Sequence, residues 1–150
     1  MHKPIFILSI NTEYYDYIPS SDDVFETVSN HYDYVTETKN YTIDHLRNQL
    51  SDMFGTVKEE NGVFTVKKEQ IEKYLKKVAT RIRSHTRKLE FDKIPSWRIE
   101  LIYDVMLESS AFFVDAQYYE GFDFATYLYE HTNRKNEISF TYEAVYDAHC

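Results

Sequence analysis

The chain has 150 residues, 43% apolar and 28% charged, with a net charge of −8; this length supports a sizeable core in one domain, 1–150. Three Gly and three Pro exclude collagen-like repeats, long linkers and loop-rich scaffolds. A single cysteine, Cys150 at the last position, excludes an internal disulfide and points to a reducing, cytoplasmic setting.

Pro4 to Ile10 is a short Ile-rich run that predicts a buried strand and is far too short to cross a membrane. Pro19, Ser20 and Ser21 before Asp22 and Asp23 predict a helix start, with Val24, Phe25 and Val28 inward. The stretch from Asn30 to Tyr41 alternates aromatic and polar residues and fits a strand or an ordered loop. Thr42 then caps a second helix whose Ile43, Leu46, Leu50 and Met53 or Phe54 share a face, and Gly55 ends it. Asn61-Gly62 predicts a two-residue hairpin turn near 56–67, setting Val57 opposite Val66 and Glu59 opposite Phe64. Val57, Phe64 and Val66 are then the inward side.

The clearest helix follows, from Lys67 to Leu89. Ile71, Tyr74, Leu75, Val78, Ile82 and Leu89 recur at three- and four-residue steps as one apolar stripe. Lys73, Lys76, Lys77, Arg83 and Arg87 fall on the opposite face. Beyond Pro95, Ser96 caps a further helix over 97–113. This segment also alternates as a strand would, but its length favours helix. It is apolar around most of its circumference, which predicts a central core element with Ile102, Tyr103 and Met106 buried. From Phe112 to Tyr146 the chain reads as β-rich: FFVDAQYY and FDFATYLYE joined at Glu120-Gly121, then EISFTYEAVY after a turn at Thr132-Asn133. Phe122 to His131 fits a short helix as the alternative. These elements make an α+β domain of about four helices, with an N-terminal strand, a hairpin and C-terminal antiparallel strands.

Charge is segregated along the chain. Residues 1–66 carry four Lys/Arg against eleven Asp/Glu, net −7; residues 67–88 carry nine against two, net +7; residues 89–150 carry four against twelve, net −8. Such segregation speaks to partners rather than to fold.

Several chemistries are excluded or weak. Three unclustered glycines supply no phosphate-cradling loop. One cysteine and six scattered histidines give no metal-ligand spacing. No cofactor is implied, and Cys150 lies at a terminus that holds no fixed geometry for a thiol nucleophile. His85 lies beside the apolar stripe and His45 beside Asp44 at a helix start, positions usual for structural histidines. A histidine-centred acid–base site remains an open alternative, since neighbours in space are invisible in sequence.

Two surfaces remain. Tyr14, Tyr15, Asp16, Tyr17, Asp22, Asp23, Tyr32, Asp33 and Tyr34 crowd one acidic, aromatic segment. Tyrosine supplies contact area at little entropic cost, and carboxylates steer a basic partner. Carboxylates held on a rigid surface also stand in for DNA phosphates. This composition is similar to that of small acidic inhibitors of restriction or CRISPR machinery, and of immunity proteins that block toxic nucleases. The leading expectation is therefore a non-catalytic, DNA-mimicking protein of a phage or mobile element that inhibits or sequesters a basic, nucleic-acid-handling partner. The alternative is a nucleic-acid-binding protein that uses Lys73, Lys76, Lys77, Arg83 and Arg87. The plain counterpart of that alternative is a solvated face, or one paired with the acidic flanks. Helix followed by hairpin from Thr42 to Val66 resembles a winged-helix module, although that helix has one Arg against two Asp and is poorly suited to read DNA.

Overall fold

Strand β1 (His2–Ser9) is the short apolar run at the start of the chain, and both of its sides are covered: Ile5, Phe6, Ile7 and Leu8 have no exposed surface. Unbroken apolarity rather than alternation is what a strand buried on two faces requires. The computed structural model describes residues 2–10, 18–87 and 111–149, together with Trp97, Ile99, Glu100 and Ile102. The other strands among the described residues are β2 (Tyr34–Glu37), β3 (Lys58–Glu60), β4 (Val63–Lys67), β5 (Ala111–Val114), β6 (Gln117–Glu120) and β7 (Glu137–His149). They form one seven-stranded mixed sheet in the order β3-β4-β7-β1-β5-β6, with β2 also on β7. Only the β1–β5 pair is parallel.

The 13-residue β7 organises the sheet. One of its edges pairs with β1 over residues 141–149. The other edge takes two strands end to end, β4 against residues 137–141 and β2 against residues 146–149. At about 3.4 Å per residue the strand is long enough, near 44 Å, to serve both.

Alternation along β1 and β5 separates two cores. Phe6, Leu8, Phe112 and Val114 face α2 (Ile43–Phe54), α3 (Lys68–Thr86) and α4 (Gly121–Glu130). Ile5, Ile7, Ala111 and Phe113 face α1 (Ser21–Val28), through Val24 and Val28. Among these described elements the sheet thus lies between one short helix and a layer of three.

Local sequence explains most boundaries. Ser20 and Asp23 form a reciprocal capping box at α1: Asp23 N donates to Ser20 Oγ at 3.2 Å and Ser20 N to Asp23 Oδ2 at 2.8 Å. Gly55 ends α2 at φ +76°, and its N–H returns to Ser51 O. Asn61 (φ +53°) and Gly62 (φ +76°) close the β3–β4 hairpin, with Glu59 opposite Phe64 as expected. Phe64 and Val66 are buried. Gln70 binds the start of α3 to the end of α2, because its Nε2 donates to Phe54 O at 2.9 Å and Thr56 O at 2.7 Å. The Phe54 carbonyl is one of those a helix end leaves without a partner.

Two expectations are corrected. FDFATYLYE is the helix α4, the alternative reading, because Phe124 and Leu128 stand one turn apart and both are fully buried. Phe124 stacks on Phe112 with ring centroids 3.8 Å apart, a contact that a strand's alternation would not place there. FFVDAQYY is not one strand but the β5–β6 hairpin, turned at Asp115 (φ +49°) and Ala116 (φ +63°) without a glycine. In the 97–113 segment the described residues Trp97, Ile99, Glu100 and Ile102 are helical, and strand begins at Ala111. Trp97 and Ile99 are 52% and 54% exposed and Ile102 is half-buried, so this start of the element is not the core centre. The apolar positions over the sheet are filled by α4 instead. Tyr103 and Met106 lie outside the described residues, as do Leu89 and Ser96.

Candidate functional surfaces

α3 is the middle helix of the three-helix layer, touching both α2 and α4. Its inward side follows the predicted stripe: Ile71 and Val78 are buried, and Tyr74, Leu75 and Ile82 are half-buried. The opposite side carries Lys73, Lys76, Lys77, Arg83 and Arg87, all exposed. Among the described residues only one of these five meets a carboxylate, Lys76, whose Nζ lies 4.0 Å from Glu72 Oε2. They span 14 residues, about 21 Å of helix at 1.5 Å per residue. Over residues 68–87 there are seven Lys/Arg against two Asp/Glu, net +5.

The acidic set is divided by the fold. Tyr32 is buried against Val24, Val28 and Val35, so it belongs to the core below α1. Asp23 is used as the cap of α1. Asp22, Asp33 and Tyr34 are exposed, whereas Tyr14, Tyr15, Asp16 and Tyr17 lie outside the described residues. The structure adds Glu26 on α1 and Glu37 on β2, both exposed. Residues 4–38 contain no Lys or Arg at all, so this layer is uniformly acidic. Only the α1 acids, Asp22 and Glu26, sit on the face of the sheet opposite to α3; Tyr34 and Asp33 lie against His149, which alternation along β7 turns to the other face.

Beneath α1 a cluster of hydroxyls surrounds one carboxylate. Glu120 Oε1 accepts from the Tyr118 hydroxyl, from Lys3 Nζ at 3.0 Å and from Tyr32 OH at 3.4 Å, while the two hydroxyls are 2.7 Å apart. Burial, then the bonds to Glu120 and Tyr32, push the Tyr118 hydroxyl well above the ordinary phenol range. Both hydroxyls and the carboxylate are hydrogen-bonded to one another, which is the arrangement of a structural network rather than of a waiting acid or base.

At the far end of the sheet the first and last strands bring together groups distant in sequence. His2 Nδ1 lies 2.8 Å from Asp147 Oδ2; His149 stacks on Tyr34 at 4.8 Å and meets the His2 ring edge-on at 5.0 Å. Among the described residues Asp147 Oδ1 and His149 Nδ1 are buried without hydrogen-bond partners, and Asp33 Oδ2 lies 3.8 Å from His149 Nδ1. A carboxylate behind an imidazole is how a general base is oriented. This is the only His–carboxylate hydrogen bond among the described residues, and no group of three ligands there is arranged for a metal. Asp147 and His149 share a face by strand period, but nothing in the sequence announced that His2 would lie across from them. The other histidines have plain roles: His45 Nδ1 accepts from Thr42 N at 3.1 Å, and His131 stacks on Tyr127. His85 is half-buried on α3.

Two clefts adjoin α3. One, about 570 Å³, is lined by Lys67, Lys68, Glu69, Glu72, Lys135, Asn136 and Glu137, three cations against three carboxylates. The other, about 260 Å³, opens between α2 and α3 beside the cation band. No helix among the described residues is long and apolar enough to cross a membrane. Comparison of the chain with protein families, characterised proteins and solved structures finds no match.

Proposed function

We propose that the protein binds nucleic acid through the exposed face of α3. The observation that carries this reading is the band itself: five exposed cations on one rigid helix, with a single marginal ion pair among the described residues. Cations left unneutralised along about 21 Å of helix match a polyanion, whose binding gains from release of condensed counterions. The overall charge of −8 does not oppose this at close range. A helix is about 10 Å across, so the acids of α1, on the other side of the sheet, are roughly 20 Å from α3, about two Debye lengths at physiological salt.

The test is binding of labelled oligonucleotides as salt is varied. Five phosphate contacts give a slope of log affinity on log salt near −3.5 for single strands. Reversing Lys73, Lys76, Lys77 and Arg83 to Glu abolishes binding in this reading, whereas reversing Asp22, Glu26, Asp33 and Glu37 to Lys leaves or strengthens it. Binding unaffected by the α3 reversal would refute it.

A second reading is favoured by the Lys- and Arg-free layer of α1 and β2. In it the protein is a non-catalytic inhibitor that docks this layer on a basic, nucleic-acid-handling protein, with Asp22, Asp33 and Tyr34 in the contact. The same two variants separate the readings. Here the acidic-layer reversal slows association with a nuclease-treated basic partner, and the α3 reversal leaves it nearly intact.

A further inference from the structure

We infer that the cleft between α2 and α3 is a seat for one unstacked base of a single strand, selecting bases that carry an exocyclic amino group. The inference rests on the reading of α3 as a nucleic-acid surface and adds to it a strand type and a base preference. The cleft is lined on the α3 side by Tyr74, Lys77, Val78 and Arg81, and on the α2 side by Gln49, Asp52 and Met53.

Size is the first constraint. At about 260 Å³ the cleft lies just below the range of pockets that take drug-sized ligands, about 300–1,000 Å³. It therefore suits a single flat ring system and not a whole dinucleotide. Lining is the second. Tyr74 and Met53 supply an aromatic and a polarizable wall, with Val78 behind them, and Tyr74 is held edge-on by Phe54 at 5.6 Å and 72°. A wall of this kind binds the face of any base by stacking and dispersion. Lys77 belongs both to the cation band and to the lining of the cleft, so a strand lying along that band passes the cleft with its phosphates already held. A base enters such a gap between helices only when it is out of a duplex stack, which selects single strands.

Asp52 decides the base. A carboxylate beside a surface that binds phosphates opposes binding, unless it accepts a hydrogen bond from the ligand. Asp52 is exposed on α2, and no ion pair holds it among the described residues. Carboxylates read the amino group of cytosine, and side-chain amides read adenine; thymine and uracil offer no amino group. The adenine amino group, like that of cytosine, is a donor that such a carboxylate accepts.

The experiment uses the full chain and fluorescence anisotropy with labelled 12-mers of oligo-dA, oligo-dC, oligo-dT and oligo-rA, and with a duplex of equal length. The proposal expects oligo-dA, oligo-dC and oligo-rA to bind about tenfold more tightly than oligo-dT, and the duplex to bind more weakly than any of the amino-bearing strands. Asp52→Ala then removes the preference by weakening the amino-bearing strands while leaving or improving oligo-dT. A merely electrostatic surface gives the opposite sign: loss of one carboxylate tightens binding of every strand equally. That result, or equal binding of duplex and single strands, overturns the base seat while the α3 reading stands. No binding of any oligonucleotide overturns both. A readout independent of variants is the wild-type NMR spectrum, in which the Met53 methyl and Tyr74 ring resonances shift with oligo-dA and not with oligo-dT; unshifted resonances at saturation refute the seat.

Discussion

Alkaline pH offers a direct test of the hydroxyl–carboxylate cluster beneath α1. Tyr118 keeps its proton in the folded protein well above the ordinary phenol range, first because it is buried and second because it donates to Glu120 and bonds Tyr32. In the unfolded chain the same hydroxyl ionises near pH 10. The folded value is the higher one, so above pH 10 the unfolded state holds fewer protons, and stability falls as pH rises. Below pH 10 the contribution is fully present. One proton of difference costs at most about 1.4 kcal/mol per pH unit; between pH 9 and pH 11 the loss assigned to Tyr118 is about 1 kcal/mol after allowing for its partial solvent access. Tyr119, Tyr142 and Tyr146 are also raised by burial and add a fall of the same sign. The difference between wild type and Tyr118→Phe isolates the one hydroxyl. At pH 8 the variant loses about 1–2 kcal/mol, since Tyr32 and Glu120 each lose a partner. Between pH 9 and pH 11 its guanidinium midpoint then falls less steeply than that of wild type. Parallel curves for the two proteins would show that Tyr118 does not hold its proton in the fold, and the cluster would have to be redrawn.

Two further predictions concern the framework that holds the α3 surface. Ala116 sits at φ +63°, where a side chain costs about 1–2 kcal/mol relative to glycine. Ala116→Gly should therefore raise the urea midpoint despite the extra freedom of the unfolded chain, and an unchanged or lower midpoint refutes the turn geometry. Gln70→Ala removes both bonds to the end of α2 and should cost about 1–3 kcal/mol, with hydrogen exchange at Gly55 to Val57 accelerating; exchange that stays slow would mean that other groups close the α2 end.

The sequence revealed the elements whose local rules agree with one another. Ser20 with Asp23, Thr42 with Gly55, and Asn61-Gly62 each carry cap or turn chemistry that no tertiary contact needed to override, and the structure has each element where these residues put it. The stripe and counter-stripe of α3 were visible for the same reason: period alone separates Ile71 and Val78 from Lys73 and Lys77. The Asp115-Ala116 turn was hidden because its positive φ angles are borne by residues that rarely adopt them. Alternation in FDFATYLYE was misleading because aromatic residues on both sides of a half-buried helix imitate a strand, and only the stacking of Phe124 on Phe112 resolves it. The crowd of tyrosines and acids from Tyr14 to Tyr34 read as one surface, but a strand and a short helix divide it, sending Tyr32 inward and leaving Asp33 and Tyr34 outside.

What no local rule contains is the pairing of the two chain ends. β1 and β7 are 127 residues apart at their nearest and lie side by side, which sets His2 against His149 and Asp147. The same pairing fixes which face of the sheet each helix covers. Through β1 and β7, part of the charge segregation along the chain becomes separation in space: α1, with Asp22 and Glu26, lies on one face and α3 on the other, whereas Asp44 and Asp52 on α2 share the layer of α3. Among the described residues Arg47 is the cation most fully paired with acids, held by Glu59 and Asp44, and it lies on α2 rather than on α3. Had α1 packed beside α3 on one face, its Asp22 and Glu26 would have been within reach of the cation band, and neither surface would be left for a partner. The topology therefore keeps the cations of α3 apart from the acids of α1, a separation that neither cluster of charges contains by itself.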